Sequence, residues 1–407
     1  MSRIDDLIAE HCPAGVEFKA LGEVGELIRG RRFTKADYVP EGLGSIHYGE
    51  IYTDYGTWAT EVRAYVRPEL KGNLRLARTG DLVIAATGEN VKDVCKAVAW
   101  LGVDEIAIHD DCYIYRHSMD PKYVSYFFQS SAFQEQKTMF ATESKLARIS
   151  GVNLAKIKMP VPPAAVQREI VEILDKMEKL KAELEAELEY RTRQYAYYRQ
   201  VILDQVQADV VPLSTLGKWQ GGITPSKANS AYWESGTIPW LASMDVSNTS
   251  TDEIRGRITD LALRETSLRL VPAPSVAVVM RSNILRRTLP IGLIEVATTV
   301  NQDMRVLVPR EGVDAEYVFQ VLRADAERIR SACVRTDGSM AAVDSQGFLG
   351  WEIPLPSLAE QRRVAKKLRH FDALVNDLSI GLPAEIAARR QQYEYYRDML
   401  LTFEEAA

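Results

Sequence analysis

Pro162-Pro163-Ala164-Ala165-Val166-Gln167-Arg168 is the stretch that decides the fold, because a related heptad, Pro356-Ser357-Leu358-Ala359-Glu360-Gln361-Arg362, follows 194 positions later. Each heptad follows an apolar run and precedes a long helical pattern. A second match, QYAYYR at 194–199 and QYEYYR at 392–397, stands at an offset of 198. Repetition at a nearly constant offset indicates that the chain is a duplication, in the order globule, helix, globule, helix.

The duplication predicts four segments. We place the first globule, with a short N-terminal helical segment, at 1–159, the first spacer helix at 160–205, the second globule at 206–353 and the second spacer helix at 354–407. Apolar side chains recur at three- and four-residue spacing along both helices, which is typical of a coiled-coil seam. Gly381-Leu382-Pro383 predicts an interruption in the second helix.

The connectivity predicts how the two helices pair. The first helix leaves globule one and ends at globule two, so the second helix buries its seam only by running back antiparallel to the first. We expect the globules at opposite ends of a helix pair of roughly 60 Å, related by a pseudo-twofold axis. The repeat is circular, so the two chain ends should meet. Short β-branched runs bounded by Gly, Pro and Asn predict a mixed α/β (α+β) fold for each globule.

The composition is that of an ordinary globular protein, with 46% apolar and 26% charged residues in a chain of 407. The apolar runs are too short to cross a bilayer and the N-terminal stretch is acidic, so we expect a cytoplasmic protein without a membrane partner. Four widely spaced cysteines without a C-x-x-C pair favour buried thiols over disulfides or a zinc ribbon. A net charge of −6 argues against coating nucleic acid through bulk charge but allows local basic loops.

Motifs for catalysis are missing from the sequence. It has no G-x-x-x-x-G-K-[ST] loop, no G-x-G-x-x-G turn and no Asn-Pro-Pro-aromatic run, so we expect no cofactor on this chain and no catalysis by it alone. Glu143-Ser144-Lys145 has the spacing of a nuclease motif, but a solvated loop is the favoured interpretation because such short patterns are frequent. His109, Cys112 and His117 have no matching set in the repeat, which favours a hydrogen-bonded histidine beside a buried cysteine and predicts no metal site.

Basic and polar loops form the predicted DNA interface. The stretch Arg29 to Lys35 places four cations within seven residues around a glycine, which suits a phosphate backbone or a guanine edge. The equivalent loop of the second globule is 221–227, and the loop 281–287 follows a strand at the place of 87–90 in the first globule. Solvated hairpin turns are the alternative interpretation for any single residue. The predicted DNA-binding residues are Arg29, Arg31, Arg32, Lys35, Thr87, Asn90, Lys145, Thr224, Ser226, Lys227, Arg281, Asn283, Arg286 and Arg287.

The repeated tyrosines predict a protein interface on the helices. Aromatic side chains at adjacent helix positions cannot all face one seam. Some of them must therefore meet another surface, such as a docked protein. The predicted partner-binding residues are Gln167, Arg168, Tyr195, Tyr198, Gln361, Arg362, Tyr393 and Tyr396.

These features resemble the specificity subunit of type I restriction–modification enzymes over essentially the whole chain. The most specific portions are Leu355 to Arg362 and the stretch from Gly381 through Tyr393 to Phe403. The first copy departs from this pattern, because Ala165-Val166 precedes Gln167 and no Gly-Leu-Pro segment follows.

The resemblance implies two target recognition domains, each of which recognises one half of a bipartite, asymmetric sequence in double-stranded DNA, while the helices set the gap. It also implies two modification subunits that methylate adenine with S-adenosylmethionine and two restriction subunits that use ATP and magnesium. These cofactors would belong to the partners. Three alternatives stay open: a methyltransferase complex without restriction subunits, an autonomous nuclease or methyltransferase, and a scaffold without DNA preference.

Overall fold

The computed structural model describes residues 3–143, 147–246, 254–376 and 381–406. Contacts within the chain divide it into two units. Unit 1 consists of Met1–Glu185 with Ile386–Ala407, and unit 2 consists of Ala186–Glu385. Each unit therefore contains one globule together with portions of both predicted spacer helices.

The described residues of the first globule form fifteen strands and six α-helices. The strands are β1 (Phe18–Ala20), β2 (Gly25–Arg29), β3 (Tyr38–Val39), β4 (Leu43–Ile46), β5 (Trp58–Ala59), β6 (Ala64–Val66), β7 (Leu76–Ala77), β8 (Leu82–Ala85), β9 (Thr87–Gly88), β10 (Ala97–Trp100), β11 (Ile106–Ile108), β12 (Cys112–His117), β13 (Thr142–Glu143), β14 (Ala147–Arg148) and β15 (Lys158–Pro160). The helices are α1 (Arg3–His11), α2 (Leu21–Val24), α3 (Tyr48–Thr53), α4 (Pro121–Phe127), α5 (Ser131–Phe140) and α6 (Gly151–Leu154).

The rest of the chain repeats this plan with fewer strands. The first spacer helix is α7 (Ala164–Asp204). The strands that follow are β16 (Val210–Pro212), β17 (Gly217–Gly221), β18 (Ile238–Leu241), β19 (Arg257–Ile258), β20 (Ser275–Val279), β21 (Ile291–Ile294), β22 (Thr299–Val300), β23 (Met304–Pro309), β24 (Val334–Arg335), β25 (Ala342–Val343) and β26 (Glu352–Pro354). The helices are α8 (Asp260–Glu265), α9 (Ala315–Cys333), α10 (Ser345–Leu349), α11 (Leu358–Asn376) and α12 (Gly381–Leu400).

The central sheet of unit 1 has the strand order β2-β12-β8-β10-β5. Strands β8 and β10 are buried along their whole length, as expected for apolar runs that are covered on both faces. Tyr123, Tyr126 and Phe127 of α4 belong to the same hydrophobic cluster as Val166 and Ile170 of α7. The first globule and the start of its spacer helix therefore share one core.

The sheet of unit 2 repeats four of these strands in the order β17-β23-β20-β21. Gly221 pairs with Arg305 across β17 and β23, just as Arg29 pairs with Tyr113 across β2 and β12. The two globules thus have the same antiparallel centre, which confirms the predicted mixed α/β class in two copies.

The spacer helices pair within each unit. In unit 1, Tyr393 Oη donates to Glu178 Oε1 at 3.1 Å, and Arg390 lies 3.5 Å from Glu185. The later residue of α7, Glu185, contacts the earlier residue of α12, Arg390, so the two helices are antiparallel there, as predicted. In unit 2, Tyr195 of α7 donates to the carbonyl oxygen of Leu368 in α11 at 3.2 Å.

Two further expectations concern the second helix and the chain ends. The described part of α11 runs to Asn376, and α12 begins at Gly381, so Gly381-Leu382-Pro383, the predicted interruption, forms the first turn of α12, while residues 377–380 lie outside the described ranges. The Val16 amide donates to the Glu404 carbonyl at 2.9 Å, and the Ala406 amide donates to the Val16 carbonyl at 3.0 Å. The segments near the two ends therefore meet, as the circular repeat predicts. Within the described ranges, no helix has both the length and the apolar character needed to cross a bilayer.

Candidate nucleic-acid interface

Three segments of unit 1 meet at one end of its central sheet, where β2 and β8 end and β12 begins. They are the loop 30–37, the segment 86–90 and the turn His109-Asp110-Asp111, and we call them strand-end site 1. The Arg31 amide donates to the Ile108 carbonyl at 2.9 Å, and the Ala86 amide donates to the Asp111 carbonyl at 2.9 Å. Backbone hydrogen bonds thus hold both outer segments to the strands and turn between them.

Unit 2 has the same arrangement at the equivalent strand ends. Strand-end site 2 consists of the loop 222–227, the segment 280–287 and the turn Asn301-Gln302-Asp303. The Met280 amide donates to the Asp303 carbonyl at 2.7 Å, which corresponds to the bond from Ala86 in unit 1. Thr224 Oγ1 donates to the side-chain oxygen of Gln302, so the loop and the turn are in contact.

A glycine fixes the start of the first loop in each site. A Cβ atom on Gly30 would overlap the carbonyl oxygen of His109, and a Cβ atom on Gly222 would overlap that of Val300. Only glycine permits this close approach of two backbone segments. The same steric requirement at equivalent positions indicates that the two sites share one backbone frame.

The four predicted cations of the first loop divide into two kinds. Arg29 Nε donates to the Asp110 carbonyl at 3.0 Å, and Arg31 donates to the Asn73 carbonyl at 2.9 Å. Arg32 and Lys35 are exposed, and neither makes an ion pair or a side-chain hydrogen bond with any described residue. The first two therefore support the loop as well as adding charge, whereas the other two are free to contact an anion.

The cations of strand-end site 2 divide in the same way. Arg281 forms an ion pair with Asp303 at 2.9 Å. Arg286 donates to two backbone carbonyls of the segment 336–338, at 3.2 and 3.0 Å. The predicted residues that are exposed and make no described side-chain contact are Ser226, Lys227, Asn283 and Arg287.

The predicted residues of the segment 86–90, Thr87 and Asn90, both use their side chains in contacts within the chain. Thr87 is only 4% exposed and its hydroxyl faces Asp111 Oδ1 at 3.4 Å, so the prediction that its side chain contacts DNA is wrong. Asn90 is exposed, but its side chain bonds Asp93 on both the amide nitrogen and the oxygen. Lys145 and Ser144 lie outside the described residues.

The turn of strand-end site 1 also carries a cluster of possible metal ligands, since atoms of His47, His109 and Asp111 lie within 4.8 Å of one another. His47 Nδ1 accepts from the Gly49 amide at 3.2 Å, and His109 Nδ1 accepts from the Asp111 amide at 3.3 Å. His109 Nε2 lies 3.2 Å from the Phe33 carbonyl. Burial, with the nearby His109, holds the pKa of His47 below its usual value. Three of the four ring nitrogens are thus engaged within the chain, and the cluster supports the loop and turn.

Gln361 was predicted to bind a partner, but its side chain is fully buried. Its Oε1 accepts from the Asp314 amide at 2.8 Å, and its Nε2 donates to the carbonyls of Pro356 and Gly312 at 2.8 and 3.1 Å. Asp314 caps helix α9 by accepting from its backbone. Gln361 therefore joins the start of α11 to the cap of α9.

Gln167 makes the equivalent connection in unit 1. It accepts from the Asp120 amide at 2.9 Å and donates to the Pro162 carbonyl at 2.7 Å. Asp120 caps helix α4. The partner-binding assignment of both glutamines is wrong, because their hydrogen-bonding groups are buried and used within the chain.

The predicted tyrosines also separate into buried and exposed members. Tyr195 and Tyr393 are 4% and 6% exposed and bond the facing helix, so they are not available to a partner. Burial is the main cause that raises the pKa of Tyr195 to about 12. Tyr198 and Tyr396 are 45% and 37% exposed, and for them partner binding stays a prediction, as it does for the exposed Arg168 and Arg362.

Sequence reasoning missed the two turns 109–111 and 301–303. The turns share only the aspartate, and their positions differ by 192 rather than by the 194 of the heptads. The available signal was the Gly30 and Gly222 pair, which stands at the same offset of 192. Extending that offset along the chain aligns the two turns.

The chain matches the family described as the type I restriction modification DNA specificity domain over residues 13–190 and 206–388. It is 40% identical over 291 residues to the EcoR124I/EcoR124II type I restriction enzyme specificity subunit of Escherichia coli, across 69% of this chain and 70% of that protein. It is 32% identical over 225 residues to the EcoprrI specificity subunit of the same organism, across 51% of this chain and 53% of that protein.

A solved structure described as showing complex assembly and conformational transition of the type I R-M system shares the fold, with a TM-score of 0.67 and 15% identity, covering 96% of this chain and 98% of that one. The two family matches confirm the predicted duplication. The relatives confirm the prediction of a specificity subunit, as opposed to an enzyme. This chain belongs to the family of type I restriction–modification DNA specificity subunits.

Proposed function

We propose that strand-end sites 1 and 2 each contact one half of a bipartite, asymmetric sequence in double-stranded DNA, and that the spacer helices set the gap between the halves. The main support is one backbone frame that carries different side chains. Unit 1 presents His109-Asp110-Asp111 where unit 2 presents Asn301-Gln302-Asp303. A shared frame with different hydrogen-bonding groups suits two half-sites of different sequence.

Charge supports the same assignment. The chain carries a net charge of −6, so contact with phosphates depends on local cations. Arg32 and Lys35 in site 1, and Lys227 and Arg287 in site 2, are exposed cations without a described side-chain partner. We assign them to phosphate contacts, which position a protein on DNA without selecting a sequence.

We further propose that the spacer helices bind modification subunits, which supply adenine methylation with their own methyl donor. Tyr197 and Tyr198 form an exposed edge-to-face pair with ring centroids 5.7 Å apart, and Tyr395 and Tyr396 form another at 5.4 Å. Exposed aromatic side chains are typical anchors of protein interfaces. Restriction subunits that consume ATP would complete the complex.

The decisive experiment is expression of the full chain with its modification subunits, followed by sequencing that detects N6-methyladenine. We expect one bipartite, asymmetric motif with a fixed gap, and no methylation or cleavage by the purified chain alone. A continuous palindromic motif, or turnover by the chain alone, would refute the proposal. ATP-dependent cleavage by the complete complex would separate a restriction system from a methyltransferase complex without restriction subunits.

Partner docking needs a separate test. Replacing Tyr198 and Tyr396 with alanine should reduce the yield of modification subunit in a pull-down, while the unfolding temperature of the free chain changes little because both rings are exposed. Tyr190→Ala is the matched control, because Tyr190 is 57% exposed and lies outside both tyrosine pairs. Equal yields from the double variant and the control would contradict the assignment.

A further inference from the structure

The two turns place their side chains in the same way, although their residue types differ. The first residue points inward, since His109 is 8% exposed and Asn301 is 6% exposed. The third residue holds the neighbouring segment, because Asp111 faces the Thr87 hydroxyl and Asp303 pairs with Arg281. The middle residue reaches solvent in both turns: Asp110 is half-buried with a side chain that is 37% accessible, and Gln302 is exposed.

The side chain of Asp110 is only partly used within the turn. The contact that ties it to the loop uses its backbone, because its carbonyl accepts from Arg29 Nε at 3.0 Å. Its Oδ1 lies 3.0 Å from His109 Nδ1, and Oδ2 has no hydrogen-bond partner among the described residues. A carboxylate can accept about four hydrogen bonds, so most of its capacity is available to a ligand.

An exposed carboxylate in a DNA-binding groove has a specific chemical consequence. It lies with the free cations Arg32 and Lys35 along one groove of about 710 Å³. Phosphates repel a carboxylate, so Asp110 disfavours DNA unless it accepts a hydrogen bond from a base. In the major groove, the donors that suit a carboxylate are the exocyclic amino groups of cytosine (N4) and adenine (N6).

Gln302 has the complementary chemistry for the other half-site. Its amide oxygen accepts from Thr224, and its amide nitrogen lies 3.5 Å from Asp303 Oδ2, a distance at which the bond is weak. A glutamine both donates and accepts, and it pairs with the N6 and N7 atoms of adenine. The Asp303 carboxylate beside the amide nitrogen fixes the orientation of the amide, since a carboxylate only accepts hydrogen bonds, and the amide oxygen then faces the Thr224 hydroxyl.

We propose that Asp110 and Gln302 are specificity-determining residues. Asp110 accepts a hydrogen bond from the exocyclic amino group of a base in one half-site, and Gln302 pairs with an adenine in the other. This inference rests on the proposed function of the chain, and it assigns base selection to the middle residue of each turn. The surrounding cations position the DNA backbone.

The test uses the full chain with its modification subunits and compares the N6-methyladenine motifs of three variants with that of the wild type. Asp110→Asn keeps the shape of the side chain but adds a donor, so we expect discrimination at one base pair of one half-site to fall by about five- to 150-fold. Gln302→Glu should alter one base pair of the other half-site. Glu41→Gln, an exposed acid outside strand-end site 1, should leave the motif unchanged.

A second substitution protects the test against a folding defect. Asp110→Glu keeps an acceptor-only side chain, so it should retain the preferred base and lower only the degree of methylation. The position of the motif at which Asp110→Asn loses selectivity then shows whether Asp110 contacts cytosine or adenine. An unchanged bipartite motif in both Asp110→Asn and Gln302→Glu overturns this inference alone, whereas a wild-type motif that is not bipartite overturns the proposed function.

Discussion

Replacing Gln361 with alanine should loosen the start of helix α9, because Gln361 supplies three hydrogen bonds from a fully buried side chain. Its loss leaves the Asp314 amide and the Pro356 and Gly312 carbonyls without these partners. At about 1 kcal/mol of net stability for each hydrogen bond, the expected cost is roughly 3 kcal/mol. This corresponds to roughly 100-fold faster amide exchange through local opening.

The assay is hydrogen exchange of the free full-length chain, followed peptide by peptide. Exchange should accelerate over residues 314–318 and stay unchanged around Asp120. Gln167→Ala breaks only two hydrogen bonds, so it should cost about 2 kcal/mol and accelerate the Asp120 region by roughly 30-fold instead. Arg363→Ala is the matched control, because its side chain is 58% exposed and pairs with Glu360 rather than with Asp314. If Gln361→Ala left amide exchange over residues 314–318 unchanged but abolished partner binding, the structural role of Gln361 would be refuted. Its predicted role in binding a partner would then be correct.

Three further predictions address backbone, pH and spacing. Gly30→Ala and Gly222→Ala should each weaken DNA binding and destabilise one unit, because a Cβ atom overlaps a carbonyl oxygen; equal urea midpoints for variant and wild type would contradict the packing. Burial lowers the pKa of His117 to about 4, so the folded chain holds it neutral while the unfolded chain takes up a proton below about pH 6.5. Stability should therefore fall by up to about 3 kcal/mol between these pH values, and His117→Phe should remove that part of the loss in urea titrations. Deleting residues 185–188 removes about 6 Å of helix, so the methylated motif should keep both half-sites and lose about two base pairs of gap; altered half-sites with an unchanged gap would contradict this.

The architecture follows from the sequence because duplicated anchors and apolar spacing are visible in one chain. The roles of the individual residues in the repeated heptads and tyrosine runs do not follow from the sequence. Gln361 and Arg362 are neighbours in the same heptad, yet one is buried and the other is exposed. Tyr195 and Tyr198 likewise stand one helical turn apart, and only the first enters the seam. Residue type gives the chemistry of a side chain, whereas the facing element decides whether that chemistry is used inside the chain.

The candidate interface was predictable in part for a related reason. Clustered cations mark the loop that contains Arg32 and Lys35, since charge is a property of the sequence. The turn that carries Asp110 has no such mark, because its place beside the loop depends on hydrogen bonds between distant strands. The two turns also share little sequence, which is expected if their exposed residues select different bases.

Unit 1 is completed by residues 386–407, which come from the other copy of the repeat, and the Val16 backbone bonds Glu404 and Ala406. A polypeptide of half this length would have one globule and one helix. The C-terminal segment of that helix could therefore complete the globule of a second, identical chain. Two identical halves exchanging tails would form a symmetric homodimer. Under the proposed function, such a dimer would select an interrupted palindrome, and fusion of two diverged halves would allow the target to become asymmetric.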